Sequence, residues 1–313
     1  QRHDVWKQRQ KSELIESILM GIPIPLMYLF EDKNGKKQVV DGRQRISAIL
    51  DFLEGKFKLN NLRILKQFNG CCFADLDLKQ QGVIEDFQLL FYIIQPPTPE
   101  RVKYDIFDRV NRGGTPLNKQ EMRNALYRGR CTRMLDKLCC SPEFLIATGR
   151  SINKERMKDQ YVVLRAMAFL MLHRGEFKDI PALQYRGDID DFLARFMVYV
   201  NDNAPEKLIV DYENLFIRCM QISYDLLGEN GFRFSGNGIR RPINMPLFEA
   251  LSYLFSFVPE KIDYTWASRL ILDIESVKEE FDDSRYFSGN IDSTTSVSFR
   301  FDRMDKIINR IQL

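Results

Sequence analysis

The chain has 313 residues, 44% hydrophobic and 12% aromatic, which allows a large buried core and excludes a disordered chain. A net charge of +3 excludes a polybasic nucleic-acid coat, so any nucleic-acid surface is a local patch. No run approaches the roughly 18 apolar residues that span a membrane. The two histidines, His3 and His173, and the adjacent pairs Cys71-Cys72 and Cys139-Cys140 lack metal-ligand spacing and give no support to Ser-His-Asp catalysis. No signal peptide is visible, and idle thiols in a reducing cytoplasm are expected.

Taken in order, a first helix is expected from Ser12 as N-cap. Glu13 and Glu16 lie in its first turns, Leu14, Ile15, Ile18 and Leu19 on its apolar face, and Gly21 just past its end. Ile22-Pro23-Ile24-Pro25 cannot be helical and leads into a strand over 27–30. Asn34-Gly35 signals a hairpin to a second strand, 38–40. Asp41-Gly42-Arg43-Gln44-Arg45 comes next, and Ile46, Ile49, Leu50 and Leu53 then recur at helical spacing.

A helix is expected over 79–87 and a buried strand over 89–94. Pro96-Pro97 ends that strand, and Thr98 caps a helix with Val102, Ile106, Phe107 and Val110 on its buried face. This helix stops at Asn111-Arg112-Gly113-Gly114. Asn118 with Glu121 three residues on reads as a capping box, so Glu121 is structural rather than catalytic. From about Cys131 the pattern is helical, with segments expected over 157–172, 189–199, 208–227, 245–257, 266–277 and 301–311. A Ser-rich loop is expected over 292–298. The fold class is α+β: an α/β N-terminal domain over 1–128 and an all-helical domain over 129–313.

The Asp41–Arg45 turn is the strongest candidate site. A strand turning sharply into a helix leaves unpaired N–H groups at the helix start, which favour an anion. Gly42 allows close backbone approach, and Arg43 and Arg45 supply guanidinium forks that fit phosphate. An ordinary turn with two solvated arginines accounts for the same five residues. Likewise Asp41 can bond its own backbone, Arg2 can be a surface arginine and Asn111 a helix stop.

Several motifs in one order carry a resemblance. The chain resembles the N-terminal domain of GmrSD-type, modification-dependent restriction enzymes, whose signature is DGQQR. More distantly, it is similar to the ParB/sulfiredoxin superfamily. Gln1-Arg2 with Trp6, the helix and I-P-I-P segment over 12–25, Asp41 to Arg45, and 107–121 all match. Arg156-Met157-x-Asp159 and the Ser-rich loop before Arg300-Phe301 also fit. Arg43 departs from the pattern, standing where the signature has its first Gln. Larger members carry a C-terminal nuclease domain with histidines. This chain has none after His173, so no nuclease activity is carried over.

The resemblance implies a nucleotide-binding and NTP-hydrolysing module of a DNA restriction or anti-phage system. Nucleoside triphosphate and Mg²⁺ would be its cofactors, and DNA and a separate nuclease subunit its partners. In that scheme the N–H groups of Gly42 to Gln44 and Arg45 hold phosphate, and Arg43 neutralises the leaving phosphates. Asp41 holds Mg²⁺ or orients water. Arg2, Asn111, Gly113 and Gly114 complete the nucleotide site. Arg128, Arg130 and Arg133, with Lys154, Arg156 and Lys158 and the Arg240-Arg241 pair, are candidates for DNA phosphate contact. Solvated helix faces explain each cluster as well, and Arg156 can pair with Asp159. A non-catalytic DNA-binding or nucleotide-switched regulatory subunit is the alternative function.

Overall fold

Two apolar stripes build the first core. Leu14, Ile15 and Ile18 are buried on α1 (Gln8–Leu19), and Ala48, Ile49 and Phe52 on α2 (Arg43–Leu53). They close on Leu59, Leu62, Leu76 and Ile84, the last of these on α3 (Leu78–Glu85). The structure, a computed structural model, describes residues 6–31, 35–95, 118–235, 240–259 and 263–311. The helix expected after Thr98 lies outside these residues. The chain divides into two compact units, Gln1–Leu117 and Asn118–Leu313.

Helix α1 begins at Gln8, ahead of Ser12, with Lys7 as N-cap. Ser12 is not a cap, because its hydroxyl accepts the Asn60 N–H at 3.0 Å. The buried carboxylate of Glu16 accepts the N–H groups of Ile64 and Leu65, at 2.8 Å each. Both polar residues therefore tie the 60–65 segment to the helix and satisfy backbone that would otherwise be stranded. Gly21 takes φ +69° and ends the helix as its position suggests.

β1 (Met27–Glu31) and β2 (Lys37–Asp41) pair antiparallel as the hairpin signal predicts, and β3 (Phe91–Ile94) joins β1 in parallel. The order is β2-β1-β3. The expected buried strand over 89–94 is thus an edge strand. Of its residues only Ile94 is buried, while Phe91, Tyr92 and Ile93 are exposed. An apolar run does not say how many neighbours a strand has.

The second unit is helical throughout its described residues. It comprises α4 (Lys119–Leu126), α5 (Arg130–Cys139), α6 (Pro142–Ala147), α7 (Lys158–His173), α8 (Ile189–Asp202), α9 (Glu206–Leu227), α10 (Met245–Phe255), α11 (Tyr264–Asp282) and α12 (Thr294–Ile311). Residues 246–255 of α10 are all buried, and so are 162–171 of α7. Asn118 caps α4 as expected, accepting the N–H groups of Gln120 and Glu121 while Glu121 accepts the Asn118 N–H. The expected loop over 292–298 is instead largely helix. Ser293 Oγ accepts the Ser296 N–H at 3.1 Å, so a serine-rich stretch serves as a helix start. The whole is α+β, a small sheet with helices followed by a helical region.

Three charged side chains sit at the centre of this second core. Glu249 on α10 is fully buried and bridges Arg165 on α7 and Arg300 on α12, each at most 1% exposed. Arg165 also holds Asp292 at 2.6 Å, and Arg300 donates to the Ile291 carbonyl at 2.7 Å. Nearby, His173 stacks on Phe301 with ring centroids 3.6 Å apart. Burial, aided by the Arg300 charge, pushes its pKa down to about 4, so it is neutral at pH 7. All six cysteines are free, and burial pushes the Cys219 thiol up to about 12, which makes it inert.

Candidate functional site

Geometry at the Asp41–Arg45 turn comes from one extra residue and one glycine. Tyr28 faces Asp41 and Leu29 faces Val39, which leaves Val40 as a β-bulge. A bulge bends its strand and re-aims the residues beyond it. Gly42 then takes φ +97° and ψ 4°, in the left-handed region. A Cβ at this position would lie 2.6 Å from the sulfur of Met27, which is itself fully buried. Only glycine lets α2 start this close to β1.

Helix α2 begins at Arg43 with no side-chain cap and no acidic residue in its first turn. Ile46 makes the first helical hydrogen bond, to the Gly42 carbonyl at 2.9 Å. The amides of Arg43, Gln44 and Arg45 precede it and have no helical acceptor. They leave a partial positive charge at the helix start. Arg43 is exposed beside them.

Arg45 is placed differently from Arg43. Its guanidinium donates to the Pro25 carbonyl and to Asp41 Oδ2, and its side chain is 12% exposed. It clamps the end of the extended proline segment to the end of β2. Among the described residues, the Asp41 carboxylate accepts its side-chain hydrogen bond at Oδ2, from Arg45. Gln44 Oε1 is a buried acceptor with no partner among the described residues. Pro25 and Met27 shape this site, and sequence reasoning did not single them out. The signal for Pro25 was the non-helical I-P-I-P run leading into the first strand. Met27 had none. Arg2, Asn111, Gly113 and Gly114 lie outside the described residues.

The basic candidates of the helical unit separate into two kinds. Arg128, Arg133, Lys154 and Lys158 are exposed. Others are engaged by protein. Arg130 donates to the Ala204 carbonyl at 2.7 Å, Arg240 meets Glu229 at 2.7 Å, and both Arg241 terminal nitrogens reach Asp282. Arg156 lies 3.5 Å from Glu121. Arg156 and Met157 both take positive φ, +57° and +58°, and the Arg156 carbonyl accepts from Asn118 Nδ2 at 2.6 Å. Two left-handed residues in succession cost about 1–2 kcal/mol each, and they turn Arg156 toward α4. Asp159 is buried, and that burial pushes its carboxyl above the usual range.

Residues 1–128 match the family model for the GmrSD restriction endonuclease, N-terminal domain. Among the described elements the match runs from α1 through β3 to α4, and it includes the Asp41–Arg45 turn. The N-terminal region therefore resembles the GmrSD family, as its motifs indicate. A search of curated proteins finds no match. Among the described residues, no helix is long and apolar enough to cross a membrane.

Proposed function

We propose that the N-terminal unit binds the phosphates of a nucleoside triphosphate at the start of α2 and serves as the nucleotide-dependent module of a DNA restriction or anti-phage system. The observation that carries this reading is the uncapped helix start held against β1 by Gly42, with Arg43 exposed at its mouth. The GmrSD match supplies the restriction context. In a ParB-like arrangement the amides of 43–45 take phosphate oxygens and Arg43 adds a charge-assisted contact. Arg45 acts as a positioning residue that keeps Asp41 and Pro25 in place. Asp41 offers its second oxygen to Mg²⁺ or to the attacking water, and hydrolysis of the bound triphosphate is the reaction this arrangement suits.

Arg43→Ala is expected to weaken triphosphate binding about tenfold, the equivalent of one charge-assisted contact, and to leave the melting temperature unchanged. Arg45→Ala is expected to weaken binding and also to lower the melting temperature, because the Pro25 carbonyl and Asp41 lose their shared partner. Calorimetric titration with a panel of nucleoside triphosphates measures the affinities, and thermal melts of the same variants measure the stabilities. Unchanged affinity in Arg43→Ala removes the site. Phosphate release by the purified chain, with and without DNA, separates an NTPase from a nucleotide-switched subunit of a separate nuclease.

DNA contact in this proposal runs through the exposed Arg128, Arg133, Lys154 and Lys158. Four such contacts predict that log K for duplex DNA falls against log salt with a slope of roughly −3 to −4. A flat salt response excludes this surface.

A further inference from the structure

Strand register sets three side chains in one row at the motif end of the sheet. Asp41 of β2 is opposite Tyr28 of β1, and Tyr28 is opposite Tyr92 of β3. Residues opposite one another across a ladder share a face. The Tyr28 and Tyr92 rings stand 5.9 Å apart, tilted by 52°. Strands about 4.8 Å apart place Tyr92 roughly 10 Å from the Asp41 backbone. Tyr92 keeps 59% of its surface exposed. It is a large ring on a hydrogen-bonded strand, in contact with a second ring and, among the described residues, more than half exposed.

The row changes in character along its length. One end is Asp41, its carboxylate paired with Arg45, and directly beyond it in the chain lie Gly42 and the uncapped start of α2 with the exposed Arg43. The other end is an aromatic surface without charge. A nucleotide has the same order, anionic phosphates at one end and a flat π-system at the other. We propose that Tyr92, buttressed by Tyr28, is the stacking surface for the base of the nucleotide whose phosphates lie at the start of α2, a placement that rests on the reading of that turn given above. Stacking accepts every base because every base has a π-face. The platform thus separates nucleotides from inorganic phosphates and does not choose among bases.

The test compares ATP with inorganic tripolyphosphate, which carries the phosphates and lacks the base, on the full chain by calorimetric titration. Tyr92→Ala is expected to weaken ATP binding by about tenfold, the effect of losing one base–aromatic stack, and to leave tripolyphosphate affinity unchanged. Tyr92→Phe keeps the ring and is expected to stay within about twofold of wild type for both ligands. Tyr92 is exposed, so melting curves of the variants should overlay that of the wild type. The platform is overturned if Tyr92→Ala binds ATP as the wild type does. A parallel loss for both ligands, or equal wild-type affinity for the two, overturns it as well. If the wild type binds neither ligand, the phosphate site at α2 fails first and takes the platform with it.

Discussion

Glu249→Gln is expected to destabilise the helical unit by about 3–5 kcal/mol, the usual consequence of leaving buried charge uncompensated. The carboxylate bridges two guanidinium groups, and all three side chains are at most 1% exposed. Glutamine keeps the shape and removes the charge. Arg165 would retain Asp292, which is partly solvated, and Tyr161. Among the described residues Arg300 would retain the Ile291 carbonyl and ring contacts with Phe169 and Phe301, and no carboxylate. Neither arginine can discharge itself, because guanidinium stays protonated in proteins. Hydrogen exchange of the α10 amides in the full chain reads the loss directly. A loss below about 1 kcal/mol contradicts this account. A triple replacement of Arg165, Glu249 and Arg300 by apolar residues of similar volume is expected to recover most of the stability, since the removed penalty is one of charge and not of packing.

Gly42→Ala is expected to cost the N-terminal unit about 3 kcal/mol, from two separable causes. The left-handed backbone at φ +97° disfavours any Cβ by about 1–2 kcal/mol. The added methyl also meets Met27, 2.6 Å from its sulfur and 3.0 Å from its Cβ, and overpacking of that kind costs about 1–3 kcal/mol. Shortening Met27 relieves the second cause and not the first. Chemical denaturation of wild type, Gly42→Ala, Met27→Ala and the double variant therefore should give a favourable coupling of about 1–3 kcal/mol. Additive losses would mean that the methyl finds room, and the close approach of α2 to β1 would then not depend on glycine. Weaker triphosphate binding in Gly42→Ala is expected alongside, since the helix start moves with the turn.

Much of this molecule was legible where the determining contacts are short in sequence. The Asn118–Glu121 cap, the Gly21 stop and the hairpin into Lys37–Asp41 each involve residues within a few positions, and each formed as read. Long-range contacts were illegible. Ser12 has the right chemistry for a cap, but its hydroxyl is spent on Asn60. Arg165 and Arg300 look like surface residues until Glu249 is brought between them by three helices. At the candidate site, the helix start and Gly42 came from local pattern. The clamp from Arg45, expected to hold phosphate, to the Pro25 carbonyl spans twenty residues and has no local pattern to announce it. The bulge that aims the turn has no signature of its own in the sequence.

Val40 has no opposite number on β1, and this makes the hairpin unequal in its tolerance of length change. A residue gained or lost before Lys37 alters only the connection between two strands whose pairing begins later. A residue lost between Gln38 and Asp41 would straighten the ladder, remove the bend and send the chain out of β2 on another line. A residue gained there would turn each later side chain to the opposite face. Insertions and deletions among chains that keep this turn should therefore gather ahead of Lys37, and the four-residue count from Gln38 to Asp41 should be held as firmly as the motif itself.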